Sequence, residues 1–77
     1  MYQYYVVEIR KLANGEFEHD VTWHYDAERE TARIKAAAKF HSIFSNEDEF
    51  TGLMHSAIMF SEEGTPEKFE CYRHEVA

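Results

Sequence analysis

Residues 16–25, EFEHDVTWHY, set Phe17, Val21, Trp23 and Tyr25 in alternation with Glu16, Glu18, Asp20, Thr22 and His24. Successive side chains of a strand point to opposite faces, so the pattern predicts a strand with one apolar and one polar side. His19 is the one polar residue on the apolar side. The stretch before it, residues 2–12, reads as a second strand, with Tyr5, Val7 and Ile9 on one side and Tyr4 and Val6 on the other. Ala13-Asn14-Gly15 separates the two. A two-residue turn on Asn14-Gly15 would pair Val7 with Thr22 and mix the faces. A three-residue loop with Gly15 as a left-handed bulge pairs Val7 with Val21 and Tyr5 with Trp23, and keeps them apart. That register sets Arg10 opposite Glu18 and Glu8 opposite Asp20.

Working outward, Asp26 is a suitable N-cap for a helix over Ala27 to Phe44. Ala27, Ile34, Ala37, Ala38, His41 and Phe44 recur at three- and four-residue steps as its expected packing stripe, with Phe40 and Ile43 flanking it. Ser45 to Glu49 reads as an acidic loop, with Phe50 and Leu53 tucking back. Residues 53–61 and 67–75 read as strands joined by Ser61-Glu62-Glu63-Gly64-Thr65, a second turn closed by a glycine bulge. Pro66 donates no ladder hydrogen bond and marks the start of an edge strand.

The order is therefore ββαββ, an α+β fold. A four-stranded antiparallel sheet in spatial order 2-1-3-4 follows, with one helix on one face. The first and third strands are apolar on both sides, as central strands are, whereas the second and fourth carry charges. One helix leaves the second face of the sheet uncovered. The expected partner surface on that face is Tyr4, Val6, Met54, Ile58, Phe60 and Tyr72, and Phe69 and Cys71 are expected to face the core.

Seventy-seven residues are expected to form a single domain, residues 1–77, with a thin core. Fifteen acids against eight bases give a net charge of −7, and the bases are scattered among acids, which disfavours direct nucleic-acid binding. A sheet with exposed aromatics suggests a single-stranded RNA platform, but Glu8, Asp20 and Glu70 are expected among its neighbours. The single cysteine, Cys71, permits no internal disulfide and fits a reducing, cytoplasmic setting. MYQYYVVEIR lacks the basic and long apolar regions of a signal peptide, and no run is long enough for a membrane span.

Five histidines and one cysteine invite a metal reading. Structural zinc sites carry ligands in closely spaced pairs, and this chain has none. His55 and Cys71 are candidate cross-strand neighbours, with His41 approaching from the helix; a core cysteine and hydrogen-bonded histidines are the favoured reading. A Cys-His nucleophile pair would need an exposed thiol. Glu47-Asp48-Glu49 lacks the ligand spacing of a calcium loop. The expectation is a non-enzymatic protein with no catalytic residues, no metal and no cofactor.

The segments MYQYYVVEI, NGEFEHDV, the helix ending KFHSIF, and HSAIMFSEEGTP followed by ECYRHE resemble a group of very short, uncharacterised proteins of Gram-positive intestinal bacteria and their mobile elements. The resemblance runs along nearly the whole chain and is strongest over residues 55–75. It implies a fold and a bacterial or phage setting, and supplies no activity and no site residues. The leading functional expectation is a protein-interaction module, homodimeric through the open sheet face, with no nucleic-acid or membrane partner. The alternative is an acidic inhibitor from a mobile element that imitates nucleic-acid charge and binds a basic host protein, with Glu16, Glu18 and Asp20 beside Glu8 as its charged row.

Overall fold

A computed structural model describes residues 1–74 of the chain. The elements run β1 (Tyr2–Lys11), β2 (Phe17–Asp26), α1 (Arg29–Ile43), a 3-10 turn (Glu47–Glu49), β3 (Met54–Phe60) and β4 (Pro66–Arg73). They build one antiparallel sheet in the order β2-β1-β3-β4. Glu75, expected at the end of the fourth strand, lies outside the described residues.

The first hairpin takes the three-residue loop. Val7 pairs with Val21, Tyr5 with Trp23, Arg10 with Glu18 and Glu8 with Asp20. Gly15 has φ 89° and its N–H donates to Leu12 O at 2.9 Å, while Leu12 N–H donates to Glu16 O at 2.8 Å. Gly64, at φ 82°, repeats the device, with Gly64 N–H on Ser61 O and Ser61 N–H on Thr65 O. A β-carbon is strained in this left-handed region, so glycine is the residue that closes both loops at least cost.

The helix starts later than the sequence suggests. Asp26 ends β2, and its Oδ1 accepts the Glu28 N–H at 3.0 Å, which leaves Glu28 in the N-cap position. Lys35 Nζ reaches back to Asp26 Oδ2 at 2.9 Å and Tyr25 O at 3.1 Å, tying the helix to the end of β2. The buried stripe is Ala32, Ala36 and Phe40, with Ala37, Ile43 and Phe44 half-buried beside it. Ala27, Ile34, Ala38 and His41, expected in the stripe, are exposed. Three equally apolar alanines in succession hide the phase of the helical repeat, and packing alone chooses among them.

The core joins Tyr4, Val6, Ala57 and Met59 of the sheet to Ala32, Ala36 and Phe40 of α1. Tyr4 and Val6 therefore lie under the helix, 6% and 1% exposed, and not on the open face. The pairing of Val6 with Met59 decides this, because it puts both on one side of the sheet. Alanines at 32, 36 and 57 let the helix approach closely, and the bulkier rings of Tyr5, Trp23 and Phe60 are left on the other side.

Candidate interaction face and the buried histidine

The strand registers order the open face into rows running across the sheet. Trp23, Tyr5 and Phe60 form one row. Its ring centroids are 4.8 Å apart from Trp23 to Tyr5 and 4.8 Å from Tyr5 to Phe60, the latter pair stacked. The central row is Val21, Val7, Ile58 and Phe69; the next is His19, Ile9, Ser56 and Cys71. Phe17, Lys11, Met54 and Arg73 close that end of the sheet. Trp23 is 50% exposed, Phe17 63% and Phe69 66%, a contiguous apolar surface of the kind that marks an interaction site. No Asp or Glu stands in any of these rows.

The strand carboxylates are on the helix side. Glu8, Glu18, Asp20 and Glu70 share the face of Val6 and Ala57. Arg10 gathers three of them, at 2.8 Å from Glu8, 2.5 Å from Asp20 and 3.4 Å from Glu18. Its hydrogen bond and charge hold the Asp20 carboxyl below the usual range. The acidic row proposed for nucleic-acid mimicry thus carries a guanidinium in its middle. The same placement removes Glu8, Asp20 and Glu70 from the neighbourhood of the exposed rings.

Of the expected surface residues, Met54, Ile58 and Phe60 lie on the open face. Tyr4 and Val6 do not, as described above. Tyr72 is on the helix side too, with its ring centroid 5.0 Å from that of Phe44 and its hydroxyl donating to Glu70 Oε1 at 3.1 Å. Phe69 and Cys71, expected inside, belong to the open face, Phe69 mostly exposed and Cys71 half-buried. Tyr5, Val7, Ile9, Phe17, Val21 and Trp23 also line the open face, outside the expected surface. The signal for them is the alternation of residues 16–25 together with Tyr5, Val7 and Ile9, which defines a shared face but not which face the helix covers.

His55 and Cys71 are not brought together. His55 pairs with Tyr72 and Cys71 with Ser56, so their side chains point to opposite faces. His41 is exposed on α1. Among the described residues no group of three or more His, Cys, Asp or Glu is arranged to hold a metal ion.

His55 has a different setting, one that spacing did not reveal. It is 5% exposed and lies between two carboxylates. Nε2 is 2.6 Å from Glu8 Oε2, and Nδ1 meets Glu47 Oε2. The other oxygen of Glu47 is 2.8 Å from His74 Nε2. Phe50 stacks on the imidazole with centroids 4.8 Å apart, and Phe44 closes it from another side at 5.0 Å. With its two nitrogens engaged, His55 fastens the loop after α1 to β1 and β3.

Among the described residues no helix is long and apolar enough to cross a membrane. Comparison of the chain with protein-family models, with curated proteins and with solved structures gives no match.

Proposed function

We propose that this protein is a non-enzymatic interaction module that pairs with a second copy of itself through the open face of its sheet. The observation that carries the reading is the distribution of charge over the two faces. In a chain with fifteen acidic residues, the rows containing Trp23, Val7, Ile9 and Lys11 hold none. Exposed rings on a surface free of carboxylates form an interface that desolvates cheaply. At ordinary strand spacing and rise, the face spans on the order of 500 Å². Protruding rings and the flanking turns bring this toward the ~800 Å² per partner of a stable interface. Symmetric pairing is the commonest way for a small domain to cover such a surface.

Light scattering behind a sizing column tests the reading. The expected result is a dimer at micromolar concentration that Trp23→Asp converts to a folded monomer. Ile34→Asp, on the exposed side of α1, leaves association unchanged. A wild type that stays monomeric at all concentrations overturns the proposal. So does a monomer that binds labelled single-stranded RNA through Trp23, because the face would then be a stacking platform. No observation favours the acidic-mimic reading, since Arg10 occupies the middle of the row that reading requires.

A further inference from the structure

All four strands have a terminus at one end of the sheet, and the side chains there line a hollow. Lys11 ends β1, Phe17 opens β2, Met54 opens β3 and Arg73 ends β4. Lys11 pairs with Phe17 and with Met54, and Met54 pairs with Arg73, so the four stand in one row on the open side. Leu53, just before β3, and His74, just after β4, complete the lining of a hollow of about 400 Å³. That volume lies within the range of roughly 300–1,000 Å³ found for small-molecule sites. Trp23 is six residues from Phe17 along β2, about 20 Å at ordinary strand rise, so the hollow is separate from the row of stacked rings.

The lining divides into an apolar floor and two cations. Phe17, Leu53 and Met54 supply the floor, and Lys11 Nζ sits 5.6 Å from the centroid of the Phe17 ring. Arg73 stands beyond Met54, two strand spacings or about 10 Å of backbone from Lys11. Among the described residues no Asp or Glu lines the hollow, and none forms an ion pair with Lys11 or Arg73. The carboxylate that His74 meets is that of Glu47, whose two oxygens are engaged by His55 and His74. Elsewhere the acids gather on bases: Arg10 holds three, and Arg33 and Lys35 hold one each. In a chain with fifteen acids against eight bases, two cations sharing a hollow without a carboxylate are unmatched charge. A cleft lined by one sign of charge, with apolar walls, focuses its field and concentrates ligands of the opposite sign.

We infer that this hollow binds a small carboxylic acid with an apolar body, in its ionised form. The carboxylate meets the Arg73 guanidinium, whose forked N–H groups match two carboxylate oxygens, and the Lys11 ammonium adds a second charge. The body lies over Met54 and Leu53 and against the Phe17 ring, where thioether and aromatic surfaces make favourable contacts. A bare inorganic anion leaves the apolar floor in water, and a neutral apolar molecule desolvates the cations without pairing them. The inference does not rest on the proposed pairing of two copies.

An NMR chemical-shift titration with 3-phenylpropanoate tests it. The expected result is saturable binding with a Kd of about 1 mM or tighter, with shifts centred on Lys11, Phe17, Met54 and Arg73. 3-Phenylpropan-1-ol lacks the charge and acetate lacks the body, and each is expected to bind at least about tenfold more weakly. Arg73→Gln and Lys11→Gln are each expected to weaken 3-phenylpropanoate about tenfold. Lys68→Gln, on the helix side of β4 opposite Met59, leaves the affinity unchanged. Circular dichroism checks that each variant is folded. The titration is repeated on Trp23→Asp, so that pairing through the open face does not hide the hollow. Absence of saturation below about 10 mM in both proteins overturns the inference. So do shifts centred on Trp23 in the wild type, equal binding of the alcohol or of acetate, or an affinity indifferent to both charge substitutions. None of these results bears on whether two copies pair, which light scattering reads independently.

Discussion

His55 on β3 and Glu8 on β1 are joined across the sheet by a contact of 2.6 Å between Nε2 and a carboxylate oxygen, beneath the loop that follows α1. Removing one partner of a buried hydrogen-bonded contact leaves the other a partner short, although Glu8 keeps Arg10 at 2.8 Å. His55→Phe should therefore destabilise the protein by about 1–3 kcal/mol, even though phenylalanine fits the apolar walls of Phe44 and Phe50. Urea unfolding gives the number. His55→Phe combined with Glu8→Gln should recover part of the loss, and a variant as stable as wild type would mean that the contact carries no weight.

Of the three glycines, Gly52 has the tightest surroundings. A β-carbon built there would run into the Phe50 ring and stand 2.6 Å from Lys11 O. The backbone is pinned at that point, with Leu53 N–H on Lys11 O at 2.7 Å and His74 N–H on Leu53 O at 2.9 Å. Gly52→Ala must displace Phe50 from its stack on His55, at a cost of about 1–3 kcal/mol. Thermal melting checks this, and an unchanged melting temperature would show that the loop yields freely.

Gly15 and Gly64 fail for a different reason when replaced. A β-carbon on Gly15 would touch nothing within 4 Å, so space is not at issue; the backbone conformation is. Gly15→Val and Gly64→Val should each cost more than ~1 kcal/mol, since a β-branched residue tolerates positive φ poorly. Gly15→Asn should cost less than Gly15→Val, because asparagine visits that region more readily. Equal melting of the valine and asparagine variants would count against strain as the cause.

His24 supplies a pH dependence. Burial, then the charges of Lys39 and Lys35, lower its pKa below the ordinary 6.5. The neutral imidazole is thus the form the fold prefers, and the unfolded chain binds more protons in the interval between the two values. Its contribution to stability is complete above 6.5 and is lost as the pH falls through the folded value. An NMR titration should place the His24 midpoint below 6.5, and His24→Asn should remove that part of the acid sensitivity. A midpoint above 6.5 would contradict the sign.

Much of the architecture was legible because it is local. Gly15 and Gly64 dictate bulged turns, and those turns with the alternation of residues 16–25 set the register of the first hairpin. Charged β2 and β4, and Pro66 opening β4, mark the edges of the sheet. The helix phase was harder to read, since Ala36, Ala37 and Ala38 are equally apolar and only contact with Val6 and Met59 selects Ala36. The candidate surface is partly legible: Met54, Ile58 and Phe60 have the right parity within β3, whereas Tyr4, Val6 and Tyr72 lie on the helix side.

The reason is that a strand's own sequence defines two faces without saying which one a distant helix will cover. Alternation, glycine positions and edge charges determined the ββαββ order, the turns and the pairing of β1 with β2. Only the tertiary structure decided that Val6 stands beside Met59, that the alanines of α1 settle on that side, and that Trp23, Tyr5 and Phe60 remain outside. It alone brought Glu8, His55 and Glu47 together, residues separated by 47 positions from first to last. Close approach of a helix is governed by the bulk of side chains far apart in the chain, a property that no local pattern records.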